Sequence, residues 1–222
     1  MTTRNEHPPG RADEAPLHWV MLGLMGTGKS VVGAAVASHL ALPFSDNDAA
    51  IAEATGGLTA RQIRERHGVG ALHDLEARHL LAATRAPSST VICAAASTIE
   101  DASCRTALEQ PGIVTIWLRA TAETLASRFD NEDHRPVFGP DPVAFFRSQI
   151  VTRYPRFLEL GGAVVDVDSL SIAEVVQRII ETIDRHLAGE PRARQTRTVR
   201  LELEPSPTPE PPHDWAGTEE EP

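Results

Sequence analysis

"GLMGTGKS", residues 23–30, decides how the rest of this chain is read. It fits the spacing G-x-x-x-x-G-K-S at every specified position, with the apolar run "HWVMLGL" (18–24) leading into it and the helix-spaced "SVVGAAVASHLAL" following. Strand, glycine-rich turn and helix in that order make a loop that cradles phosphates. Gly23, Gly26 and Gly28, with Thr27 among them, let successive backbone N–H groups turn inward, helped by the positive end of the next helix. Lys29 is the only lysine in a chain with twenty arginines. A compact ammonium on a flexible stem suits the β- and γ-phosphates of a nucleoside triphosphate better than a planar guanidinium does. Ser30 offers its hydroxyl to Mg²⁺. A turn that merely opened a helix would need no lysine.

Outward from the loop, 222 residues hold one α/β domain with additional segments at the ends. Residues 1–15 are polar and rich in Pro and Gly, and residues 189–222 are Pro, Glu, Arg and Thr with almost no apolar face, so both read as disordered tails around a domain at 16–188. Of the net charge of −10, much sits in the second tail, where eight acids face four arginines. An acidic chain without basic clusters argues against nucleic acid or an anionic membrane as partner. No run reaches the roughly 18 apolar residues a membrane helix needs, and no basic-then-apolar leader opens the chain. The expected location is the cytoplasm and the expected state a monomer. Cys93 and Cys104 lack any ligand-like spacing and read as reduced thiols.

Between the tails, apolar runs alternate with helical patterns. "LPF" precedes "SDND", amphipathic segments follow at about 59–66 and 69–84, and "TVICAAA" (90–96), "GIVTIWLRA" (112–120) and "GAVVDV" (162–167) read as buried strands. The β-α-β-α order with near-continuous apolar strands predicts a three-layer fold: a parallel sheet of about five strands with helices on both faces. The stretch "RFDNEDHRPVFGPD" (128–141) is polar and turn-rich, which predicts a lid loop, or a plain solvated loop.

The motifs also sort among phosphate-loop proteins. A guanine reader of the Ras type needs a second lysine in N-K-x-D, which this chain lacks. A motor-type ATPase needs an apolar strand ending in Asp, and neither 90–96 nor 112–120 ends so. Instead Asp46 and Asp48 follow the second apolar run, seventeen and nineteen residues beyond Lys29. On an extended segment the two would share a side, one near the metal and one near an acceptor hydroxyl. Read alone, "SDND" is better taken as an Asx cap of the next helix; after a phosphate-loop strand it reads as the site.

These residues together resemble the shikimate kinase family, over about residues 17–187. "GLMGTGKS" is similar to its phosphate loop, "FSDNDAAIAEATGG" to its D-x-D segment, "ALHDLEARHL" to its F-R-x-x-E segment, "RFDNEDHRPVF" to its adenine-side arginine and lid, and "TRYPRF" to its R-x-P-L-Y segment. The resemblance implies ATP and Mg²⁺ as cofactors and phosphoryl transfer to a hydroxyl of shikimate or a related small cyclic hydroxy acid or polyol. It implies that Asp46 holds hydrated Mg²⁺ and that Asp48 binds the acceptor and positions its hydroxyl or accepts its proton. Arg128 would stack on adenine, Arg135 close over the transferring group, and Arg153 pair with the acceptor carboxylate, with Glu76 beside it.

Three departures bear on the acceptor. His73 stands where the family has its first substrate arginine, Ala94 to Ala96 where it has a G-G-G turn, with Ala95 at the middle, and Ile92 where it has a serine near the metal's water shell. Histidine makes one bond to a carboxylate where an arginine fork makes two. Alanine disfavours the positive φ that glycine adopts freely. The expectation is weak shikimate affinity or a less acidic acceptor, with Arg156 a candidate to replace a lost contact. His73 is equally read as a surface histidine; for Arg135 a solvated loop charge is the alternative, though a basic residue on a polar loop opposite a phosphate loop suits a lid. A diverged nucleotide-binding regulatory or interaction protein, and a nucleoside or gluconate kinase of the same fold, are the competing readings.

Overall fold

In the computed structural model, which describes residues 15–128 and 141–189, the run before the phosphate loop becomes β1 (His18–Leu22). Residues 1–14 and 190–222 of the segments read as tails, and 129–140 of the lid stretch with Arg135, lie outside the described residues. β1 is central: β3 (Val91–Cys93) and then β2 (Phe44–Asp46) lie to one side, β4 (Ile113–Arg119) and then β5 (Ala163–Asp166) to the other, and all pairs are parallel. Strand order therefore reverses at β1. In open parallel sheets the crevice at such a reversal, beyond the carboxyl ends of the strands, is where ligands bind.

Every residue of β1 and β3 is buried, as are the five central residues of β4. A strand with no exposed face needs cover on both sides. Helix α1 (Lys29–Leu40) packs against β3 and α7 (Ile172–Leu187), while α4 (Ala102–Leu108) packs against β4 and α3 (Ala60–Ala83). Trp117 of β4 meets Tyr154 and Phe157 of α6 (Pro142–Glu159) at centroid distances of 4.7 and 5.4 Å. The Tyr154 hydroxyl also donates to the Ala120 carbonyl and accepts from the Ala120 amide at 3.2 Å. These contacts fix α6 at the end of β4, and with it the direction of Arg153. Among the described residues no helix is long and apolar enough to cross a membrane.

Local boundaries differ from the sequence reading in three places. β2 starts at Phe44 and takes in Ser45 and Asp46, so of the short run "LPF" only Phe44 belongs to the strand. β3 stops at Cys93, and Ala96–Glu100 forms a 3₁₀ turn, closed by the Thr98 hydroxyl donating to the Ala95 carbonyl at 2.7 Å. Among the described non-glycine residues only Ala41 has positive φ, so the three alanines leave the sheet without the geometry that would favour glycine.

The two amphipathic segments form one element, α3, bent at Gly68, whose φ of 83° and ψ of 167° are not helical. Thr59 and Gln62 close a capping box at its start. Ile63 before the bend and Leu72 after it pack with Ile51 of α2 (Asn47–Ala54) in a small core separate from the main one. That region of φ/ψ is essentially restricted to glycine, and an L-residue there costs about 1–3 kcal/mol. Gly68→Ala is therefore expected to lower stability by about that amount in a denaturant melt, although no atom lies within 4 Å of an added Cβ. A Gly68→Ala protein as stable as the wild type would contradict the strain.

Candidate functional site

The phosphate loop joins β1 to α1. Gly26 and Gly28 lie at φ of 84° and 90°, and Gly28 is the left-handed residue that caps α1. A Cβ on Gly23 would come within 2.6 Å of the Leu118 carbonyl, so strand β4 forbids a side chain there. Thr27 is buried and donates its hydroxyl to the Leu24 carbonyl at 2.9 Å. The Lys29 ammonium donates to the carbonyls of Gly23 and Leu24 at 2.9 and 3.0 Å, which folds its stem back over the loop. Burial holds its pKa below the ordinary lysine value, with the carboxylates of Asp46 and Asp48 among the charges pulling the other way. Ser30, the second residue of α1, is exposed beside it.

Asp46 ends β2 and caps α2, its Oδ1 accepting from the amides of Asp48 and Ala49 at 3.1 and 3.3 Å. Asp48 is in the first turn of α2, which corrects the extended geometry expected from the sequence. The capping bonds draw the chain into a helix straight after Asp46. Both carboxylates nevertheless line one cleft, because a first-turn side chain beside its cap still faces the helix N-terminus. Asn47, only 5 % exposed, donates its side-chain amide to Asp48 Oδ1 at 3.1 Å, and its own Oδ1 is buried without a partner among the described residues.

The cleft, of about 640 Å³, opens at the carboxyl ends of the strands and takes in Gly26, Gly28, Lys29, Ser30, Asp46, Asp48, His73, Glu76, Ala95, Arg128 and Arg153. Of the predicted site residues, Thr27 supports the loop from beneath and Arg135 lies outside the described residues. Arg128 follows α5 (Ala122–Ser127), and its guanidinium donates to the Val167 carbonyl at 2.9 Å. Arg153 pairs with Glu100 at 2.7 Å. One expectation fails. Arg156 does not line the cleft. Ile92 is fully buried within β3, level with Val20 and Ser45, and the β3 residue that reaches the loop is Cys93, whose thiol donates to the Lys29 carbonyl at 3.1 Å. The strand's alternation turns Ile92 away and Cys93 inward. Burial pushes the Cys93 thiol up to about 12, so it packs as an inert group.

Reading the sequence missed Arg64, Phe145, Gln149 and Ser97, all of which line the cleft. The Ser97 hydroxyl donates a short hydrogen bond to Glu76 Oε2. Burial raises Glu76 to about 7, with Asp48's charge adding, while Ser97 and the charges of Arg153 and Lys29 oppose. The folded chain thus holds a proton on Glu76 that the unfolded chain releases nearer pH 4.5. Stability contributed by this proton is complete below that value and is lost as pH rises towards 7. Glu76→Gln keeps an acceptor for Ser97 without the charge. It is expected to exceed wild-type stability at pH 8 by about 1–3 kcal/mol and to match it near pH 4.5. An equal difference at both pH values in thermal melts would show that Glu76 is not the titrating group.

Comparison with known proteins follows the same lines. The family model described as "Shikimate kinase" matches residues 25–184. A shikimate kinase of Ruegeria pomeroyi is 31 % identical over 165 residues, covering 74 % of this chain and 83 % of its own. One from Caulobacter vibrioides is 36 % identical over 151 residues, covering 66 % and 74 %. Among solved structures, shikimate kinase from Acinetobacter baumannii in complex with shikimate superposes with a TM-score of 0.72 at 24 % identity, over 80 % of this chain and 98 % of that one. A gluconokinase from Sinorhizobium meliloti gives 0.52 at 23 % identity, over 79 % and 96 %. At these identities the structures speak for the fold.

Proposed function

Because the chain belongs to the shikimate kinase family and is a small-molecule kinase, we propose that it transfers the γ-phosphoryl group of ATP to a hydroxyl of shikimate or a closely related small cyclic hydroxy acid or polyol. The observation that carries this is convergence: phosphate loop, paired aspartates, His73, Glu76 and Arg153 line one cleft. A protein that only bound nucleotide would need no such acceptor end, so the regulatory reading is not favoured.

The loop suits a polyphosphate. Its left-handed glycines turn backbone amides inward, and Lys29 is the cation beside them. Ser30 and Asp46 offer one hard oxygen each to Mg²⁺, since Asp46 Oδ1 is occupied by backbone amides and Oδ2 is not. When bound, the nucleotide supplies the phosphoryl group and the metal neutralises its charge. The rest falls to the chain. Asn47 holds Asp48 Oδ1, leaving Oδ2 to orient the acceptor hydroxyl and take its proton. Arg153, steadied by Glu100, faces the acceptor with His73. Arg128, fixed by the Val167 carbonyl, offers a flat face to adenine, and Arg135 supplies a cation from the lid stretch.

A coupled assay of ADP release over shikimate, aminoshikimate, quinate, cyclitols and sugar acids tests the proposal. Release that rises several-fold with at least one of them is the expected result. Release that none of them stimulates would overturn it.

A further inference from the structure

Four basic side chains line the cleft among the described residues: Lys29, Arg64, Arg128 and Arg153. Three are engaged. Lys29 holds the carbonyls of Gly23 and Leu24, Arg128 holds that of Val167, and Arg153 is paired with Glu100. Arg64 is exposed, and it makes no hydrogen bond or ion pair with the described residues, its neighbour Glu65 being taken by Arg61.

The charges at the acceptor end make that freedom matter. Glu100 offsets Arg153, Asp48 adds a further carboxylate, and His73 offers a single hydrogen bond. Without Arg64, an anionic acceptor would meet more negative than positive charge there. A guanidinium with its fork unoccupied can bond both oxygens of a carboxylate. Arg64 precedes His73 by nine residues, half a turn out of phase at about 100° per residue on an unbroken helix. The bend at Gly68 resets that phase, and both residues line the cleft.

We propose that Arg64, together with Arg153, holds the carboxylate of the acceptor and is a specificity-determining residue of this site, in the role that His73 cannot fill alone. The assignment rests on the kinase reading above and narrows the acceptor to a cyclic acid. Arg64 is exposed and unbonded among the described residues, so its replacement leaves their packing standing.

The test is calorimetric titration of the full chain, with ADP and Mg²⁺ present, using shikimate and its methyl ester as probes. For Arg64→Gln, shikimate binding is expected to weaken about tenfold to a hundredfold, the loss of a charge-assisted pair. Ester and ADP binding should stay within twofold of wild type. Adding His73→Arg to Arg64→Gln is expected to restore part of the lost affinity. Unchanged shikimate affinity in Arg64→Gln, equal loss for both probes, or wild-type protein that binds neither probe would each overturn the assignment. Turnover of a neutral cyclitol without shikimate binding would overturn it while leaving the kinase reading intact. No turnover with any acceptor, alongside Arg64-dependent shikimate binding, would do the reverse.

Discussion

Lys29→Met is expected to lower kcat/KM for acceptor-dependent ADP release by about 10³-fold, or ~4 kcal/mol of transition-state stabilisation. Two losses combine. The ammonium is the positive charge nearest the phosphate loop's turned-in amides, and its bonds to the carbonyls of Gly23 and Leu24 hold the loop's curvature. Lys29→Arg is expected to recover little, because a planar fork replaces a compact point charge that bonds the carbonyls of Gly23 and Leu24. Fold should survive both changes, so circular dichroism and melting serve as controls beside steady-state kinetics. Activity within tenfold of wild type in Lys29→Met would remove the loop from phosphoryl transfer.

Asp48→Asn comes next in size. An amide keeps the side chain's shape but cannot accept the hydroxyl proton, and such losses cost about 10²–10⁴ in kcat. In the roles proposed, with Asp48 serving the acceptor and the loop the nucleotide, KM for ATP should hardly move. The split matters more than the total. A rise in the KM for ATP with kcat preserved would place Asp48 on the metal side, in the part proposed for Asp46.

The phosphate loop and the parallel sheet were legible because each is a local pattern: fixed glycine spacing after an apolar run, and strands too apolar to show alternation. The exit from β3 was less so. After Thr90 the stretch "VICAAA" is apolar throughout, and nothing in it marks where the strand ends and the 3₁₀ turn begins, or which of Ile92 and Cys93 the alternation turns towards the loop. Asp46 and Asp48 reached the cleft by a cap and a helical first turn where alternation along a strand had been expected, since "SDND" satisfies both patterns. Arg64 was invisible for a different reason. Helical periodicity carries no information across a residue that breaks the helix, and Gly68 does so midway between Arg64 and His73. Ser97 followed the alanine turn without signal, its bond to Glu76 joining residues twenty-one apart.

The separate packing of Ile51, Ile63 and Leu72 has a consequence for how such a chain diversifies. Arg64 and His73 ride on the first part of α3, whose buried Ile63 and Leu72 form a cluster apart from the main one, which the helix joins farther on through Leu80. Replacements that reshape acceptor choice draw on that small reserve of packing, while the sheet that presents the phosphate loop keeps its own. A substitution in this first part of α3 is therefore expected to leave the packing around the phosphate loop's strand intact.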